Sequence, residues 1–414
     1  MSEDDENSVV YIDCDASTMT GTYDSGNKRR RNQGSEAFEF KYVNSPSEKV
    51  MESNMIKFLS GHEIGNKSSE IFSSGMLTWN SRRMNTKRFK ITAQPEIQIS
   101  ECEFIRNGLN SHSIVGMWSG AQYDAILYKI ELNLQSRCTC TENEVQCIVK
   151  DFELVGPFYS RYDIRDIRET FFRDNNYVLY IGSNNKPDSE RRHSVMLYHS
   201  NGNTTGMQYL TARELYCCNG NQNGHTFAAG AEEGVFVYHS GDLKLYNDLN
   251  RVNSVEFNRA GNVLYCGIEK PALAMYDLRE YPTICHYLNI SGLCTMGMVD
   301  SHLLANENNM LISGFDGSLS QIDLRKSETV VKYPSHARSS EKAPFSFSES
   351  ADLVCATGTD KLTRLWSLRT GEQLCTIEPK NKSRKVHSCL KYIDRQWAVI
   401  LFQKNMMYVA EPMI

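Results

Sequence analysis

One hydrophobic slot returns along the chain at a nearly constant interval. It falls on Tyr198, Tyr238, Tyr276, Ile322, Trp366 and Tyr408, giving successive spacings of 40, 38, 46, 44 and 42 residues. Around each slot the pattern is that of a small antiparallel sheet. In Asn253 to Arg279, Val255 and Phe257 alternate with polar residues and Arg259-Ala260-Gly261-Asn262 makes a turn. Val263 to Gly267 then forms an apolar strand and Ala272 to Tyr276 a third, ending in Asp277-Leu278-Arg279. A hairpin unit this small cannot cover its own faces, so it needs copies stacked alongside. A four-stranded unit repeating every 40 to 45 residues or so is one blade of a β-propeller.

The period is that of a WD repeat, although only Trp366 is a tryptophan at the slot. Tyr128, in the hairpin pair Ser113 to Trp118 and Ala125 to Tyr128, adds a seventh slot and so a seventh blade. Seven blades need about 300 residues, which fits within the 414 of the chain. The 70 residues from Tyr128 to Tyr198 exceed the period, which predicts insertions. One is assigned to the loop Gln135 to Asn143, the other to Tyr162 to Arg173 (YDIRDIRETFFR), which has a short helical pattern. Asp316-Gly317 reads as a hairpin turn with positive φ, and Asp360 ahead of Trp366 as a framework residue of its turn. The last slot lies close to the final residue, so closing the ring calls for a strand from the N-terminal side.

The propeller is expected over residues 101–414, a helical and irregular lead-in over 46–100, and a disordered tail over 1–45. The tail contains Lys28-Arg29-Arg30-Arg31, read either as a nuclear import signal or as a solvated charge block. Val50, Met51, Met55, Ile56, Phe58 and Leu59 recur at near-helical spacing between Pro46 and Gly61, predicting an amphipathic helix. That helix packs on the propeller's own side or docks into a partner. In residues 66–100 a basic cluster (Arg82, Arg83, Lys87, Arg88, Lys90) is interleaved with Met76, Leu77, Trp79, Phe89 and Ile91, which suggests a structured lead-in.

Composition narrows the function classes. A net charge of −5 argues against nucleic acid as the main partner. The 13 cysteines are scattered, and the acidic start carries no apolar leader, so an intracellular, reduced setting is expected, in nucleus or cytoplasm. Cys266, Cys355 and Cys389 read as strand-core residues. The longest apolar run, Trp397 to Phe402, is too short to span a bilayer. No nucleophile elbow, P-loop, dinucleotide fingerprint or His-Glu-x-x-His pattern occurs. Cys138, Cys140 and Cys147 lack the spacing and the fourth ligand of a zinc site. No enzyme activity, cofactor or metal is expected.

What the chain does repeat is an arginine three residues after the slot. Arg279, Arg325 and Arg369 would then stand at one rim of three adjacent blades. Arginine suits interface ion pairs because its planar guanidinium is permanently charged and weakly hydrated. The bland alternative is that each is solvated or bonded to a neighbouring blade.

The hydrophobic-Asp-x-Arg endings, Tyr276-Asp277-Leu278-Arg279 and Ile322-Asp323-Leu324-Arg325, resemble the WDxR box of WD-repeat substrate receptors of the cullin-4 ubiquitin ligases. From about Leu293 to Tyr408 the chain is most similar to the factor 4 branch of that family, also called WD-repeat protein 21. Thr357 to Ile377 (TGTDKLTRLWSLRTGEQLCTI) carries most of that likeness. The resemblance implies a non-catalytic scaffold bridging a target protein and the ligase adaptor, damage-specific DNA-binding protein 1, and through it cullin 4. It implies adaptor contacts at Asp277, Arg279, Asp323, Arg325 and Arg369, with Ile56, Phe58 and Leu59 as anchors of the preceding helix. Two departures stand out: Tyr276 and Ile322 replace the tryptophan, and Ser367 leaves Arg369 without its acidic neighbour. A scaffold of a nuclear chromatin or RNA-processing complex is the alternative.

Overall fold

The computed structural model describes residues 9–10, 40–43, 84–91, 99–108, 112–120, 125–134, 149–160, 162–172, 175–184, 192–199, 207–239, 242–247, 249–269, 272–279, 284–289, 297–334, 336, 344–379, 384–393 and 396–412. They form seven antiparallel sheets, and no helix occurs among the described residues. The innermost strands, in chain order, are Ile99–Asn107, Tyr162–Phe172, Leu215–Gly220, Val252–Phe257, Met298–Leu303, Phe345–Ser348 and His387–Ile393. Each is followed outward by the next two strands in sequence, the topology of a seven-bladed propeller. The helix expected over Val50 to Leu59, the basic block Lys28 to Arg31 and the loop Gln135 to Asn143 lie outside the described residues.

All seven slot residues fall on the third strand of a blade. Six of them are buried and Tyr198 is half-buried. The reason for the period lies between the blades, where seven apolar clusters fill the gaps around the ring. Tyr276, for example, meets Tyr246 of the preceding blade edge-on at 5.3 Å, and Trp366 meets Tyr333 at 6.2 Å. Each blade thus spends one large side chain on its neighbour, once per repeat. Cys266, Cys355 and Cys389 are buried in first or second strands, as expected of small core residues.

The ring closes with a strand from the N-terminal side. Met84–Lys90 pairs antiparallel with Met406–Pro412 as the outer strand of the seventh blade, Arg88 opposite Tyr408. Lys87, Arg88 and Lys90 of the basic cluster therefore belong to this strand. Two further segments extend other blades outward. Val9–Val10 pairs with Met207–Thr211 of the second blade, and Phe40–Val43 with Gln373–Pro379 of the sixth.

Two local readings need correction. Tyr162 to Phe172 is a strand, not a helical insertion. A bulge between Ile164 and Asp166 adds one residue, so the buried Ile164 and Ile167 stand three apart and imitate a helical period. The extra length between Tyr128 and Tyr198 goes partly into long strands, among them Val149–Ser160 with 12 residues and Tyr162–Phe172 with 11. In the Asp316-Gly317 turn only Gly317 has positive φ, 81°, while Asp316 accepts from Ser318 N–H at 3.0 Å. Asp360 does hold its turn: it accepts from Leu362 N–H at 3.1 Å and pairs with Arg364.

The centre of the ring is bridged by charge. Similar bulges in the innermost strands, between Ile164 and Asp166 and between Met298 and Asp300, re-aim Asp166 and Asp300. Arg106 of the first blade donates to Asp300 of the fifth at 2.5 Å and to Asp166 of the second at 3.4 Å. Arg168 of the second blade reaches the other Asp300 oxygen at 3.1 Å. The pairs to Asp300 join non-adjacent blades, so they cross the middle of the propeller. Burial alone would raise the Asp300 carboxyl, but Arg106, His302 and Arg168 hold it well below the usual carboxylate range.

Glu256 of the fourth blade borders this cluster, accepting from Asn219 Nδ2 at 3.0 Å with His302 Nδ1 3.8 Å away. Burial pushes its carboxyl up to about 8, against the pull of Arg168 and with a further push from Asp300. The folded state therefore keeps a proton that the unfolded chain has released, and this contribution to stability falls as pH rises towards 8. His302, which burial pushes down, adds a small slope of the opposite sign that fades just above its ordinary value. Glu256→Gln is expected to remove about 1–2 kcal/mol of stability loss between pH 6.5 and 8. Chemical denaturation across that range checks it, and an unchanged slope would exclude Glu256 as the group responsible.

Candidate functional site

The three arginines lie at the same place in three successive blades, just past the third strand, on the turn to the fourth. Arg279 follows Ala272–Asp277, Arg325 follows Leu319–Asp323, and Arg369 follows Thr363–Ser367. Their side chains are 68%, 65% and 65% exposed, whereas the acids beside them are largely covered.

Each pair is built by a tight turn. Asp277 accepts from the Arg279 N–H at 3.0 Å, and its carboxylate also takes Arg279 Nε at 2.9 Å and Nη2. Asp323 accepts from the Arg325 N–H at 2.9 Å, from Nε at 3.3 Å and from Nη2 at 2.9 Å. The guanidinium fork matches the two carboxylate oxygens side by side. Hydrogen bonds from the two arginines hold both carboxyls down at about 2. Both acids are therefore ionised across the physiological range, and the pairs persist until the solution is strongly acidic.

Exposed ion pairs of this kind contribute little to stability. What the geometry does supply is order: each fork spends its Nε and Nη2 on the chain's own acid and keeps the guanidinium fixed. A rigid cation loses less entropy on meeting an acceptor than a free one. Among the described residues, Nη1 of Arg325 meets no acceptor.

In the sixth blade the expectation that Arg369 lacks an acid is corrected. Asp352, from the turn between the first two strands, stands in. It accepts from the Arg369 N–H at 3.0 Å and from Ser367 Oγ at 3.0 Å, with Arg369 Nε 3.8 Å away. Tyr333 of the fifth blade donates to Leu368 O at 2.8 Å, and Trp366 Nε1 donates to Pro334 O at 3.0 Å. The turn carrying Arg369 is thereby tied to the blade carrying Arg325. Sequence reasoning missed Asp352 because it lies 15 residues before Ser367; the substitution of Ser367 was the only local signal.

The other sequence-predicted anchors, Ile56, Phe58 and Leu59, lie outside the described residues. No group of three or more metal-ligating side chains is present among the described residues.

This architecture is a seven-bladed WD-repeat β-propeller, a fold of protein-interaction scaffolds. No family model matches the chain. It is similar to DDB1- and CUL4-associated factor 4-like protein 2 of Homo sapiens, with 26% identity over 162 residues, 37% of this chain and 39% of that protein. A second relative is an uncharacterized WD repeat-containing protein of Caenorhabditis elegans, 26% identical over 140 residues, 33% of this chain and 25% of its own length. The matched stretches thus span well under half of either relative. The chain is a WD-repeat propeller similar to the cullin-4 substrate receptors.

Proposed function

We propose that the chain is a non-catalytic substrate receptor whose arginine rim docks on the adaptor of a cullin-4 RING ubiquitin ligase, with a target protein held on another face. The observation that carries this reading is the row of three exposed arginines on blades four to six, two forked onto their own acids and the third beside Asp352. The name of the human relative, which couples DDB1 and CUL4, adds to it. Ubiquitin transfer would then follow from proximity, by raising the effective concentration of target lysines beside the charged conjugating enzyme.

A second contact has support from the path of the chain. Gln373–Pro379 leaves the rim turn at Gln373, and Phe40–Val43 runs antiparallel to it, with Phe40 opposite Pro379 and Val43 opposite Thr376. Phe40–Val43 therefore heads towards the rim turn. That direction favours Ile56, Phe58 and Leu59 as helical anchors on the adaptor.

The test is affinity capture of the tagged chain from cells, wild type beside Arg279→Ala/Arg325→Ala, with mass spectrometry of both. Adaptor and cullin 4 are expected with the wild type and strongly reduced with the variant. A stable set of chromatin or RNA-processing proteins in their place would overturn the receptor reading.

A further inference from the structure

The third arginine is held by a different acid from the other two. Asp277 and Asp323 stand two residues before their arginines and accept from the arginine N–H at 3.0 and 2.9 Å. At the matching position the sixth blade has Ser367, whose hydroxyl is too short and uncharged to fork a guanidinium. Asp352 instead accepts from the Arg369 N–H, also at 3.0 Å, and Ser367 Oγ donates to the second oxygen of the same carboxylate. Asp352 and Ser367 together thus rebuild the backbone bond that one aspartate makes in the other blades.

We infer that Asp352 is the positioning residue for Arg369, so that the partner-facing rim spans three blades and presents three ordered guanidiniums to an acceptor-rich surface. The binding part of this inference rests on the receptor reading above; the positioning part does not. The backbone φ of Asp352 is 55°, in the left-handed region that aspartate tolerates better than most side chains and glycine adopts freely. The Ser367 hydroxyl orients the carboxylate from one side, and the Arg369 N–H from the other. Among the described residues the terminal nitrogens of Arg369 meet no acceptor, which leaves them for a partner.

The left-handed φ also supplies a clean variant. Asp352→Gly removes the carboxylate at a position where glycine is unstrained. Ser367→Asp, added to it, restores the acid to the place it occupies in the fourth and fifth blades. Ser367→Asp alone sets a second carboxylate against Asp352 in a buried spot.

The experiment uses the full chain and two readouts. The first is affinity for the purified adaptor. Asp352→Gly and Arg369→Ala are each expected to weaken binding about two- to fivefold, and the combination no more than Arg369→Ala alone. Asp352→Gly/Ser367→Asp is expected to regain wild-type affinity, while Ser367→Asp alone weakens it. The second readout is the Nε–Hε NMR signal of Arg369, expected to lose its dispersion and order in Asp352→Gly and to recover with Ser367→Asp. Additive losses from Asp352→Gly and Arg369→Ala, or an unmoved Nε–Hε signal, would overturn the inference. If Arg279→Ala/Arg325→Ala leaves adaptor binding intact, the receptor reading fails, and the NMR signal still decides whether Asp352 positions Arg369.

Discussion

Asp300→Ala is expected to lower stability by about 3–5 kcal/mol, more than the loss of any rim side chain. Asp300 is fully buried and is the common acceptor of Arg106 and Arg168, from two other blades. Removing it leaves the buried Arg106 and largely buried Arg168 guanidiniums with Asp166, itself already engaged by Cys218 N–H at 3.0 Å and Ile167 N–H at 2.9 Å, and with Glu256, whose carboxyl burial pushes up. A lone buried charge costs far more than a pair contributes, because the desolvation is no longer offset. For the same reason, replacing Arg106, Asp300 and Arg168 together by apolar residues of similar volume is expected to cost less than Asp300→Ala alone. The midpoint of urea denaturation measures both, with an unchanged m-value for the single variant. A loss under about 1 kcal/mol in Asp300→Ala would show that water or relaxation rescues the arginines.

The second large effect concerns recognition and leaves folding intact. Arg279→Ala with Arg325→Ala is expected to weaken adaptor binding at least about tenfold. Both side chains are mostly exposed and lie over the surface of their turns, so their loss opens no cavity. The thermal midpoint should therefore stay close to wild type. The two acids are also expected to matter through their arginines: Asp323→Ala frees the Arg325 fork and should cost affinity in the same binding measurement.

The propeller was legible in the sequence for a physical reason. A blade hides one large third-strand residue against its neighbour once per repeat, so Tyr238, Tyr276, Ile322, Trp366 and Tyr408 keep a regular beat even where the tryptophan is gone. The seam between the first two blades was not legible, because the bulge before Asp166 shifts the alternation of Tyr162–Phe172. The central bridge was hidden as well. Arg106 and Asp300 are 194 residues apart, and a charged residue within a strand looks the same whether it faces water or the middle of a ring. Asp300 and His302, two apart in one innermost strand, were the available hint. At the rim, Arg279 and Arg325 could be read because their acids are local, while Asp352 could not because its partnership with Arg369 exists only once the blade has folded.

The central claim is that the arginine rim is an adaptor-binding surface. It is tested most directly by titrating purified damage-specific DNA-binding protein 1 into the purified full chain, wild type and Arg279→Ala/Arg325→Ala, with thermal melting run on both. Saturable binding by the wild type, with Kd raised at least about tenfold in an equally stable variant, is the predicted result. Equal Kd values for the two proteins would contradict it and leave the three arginines as part of the ring's own framework.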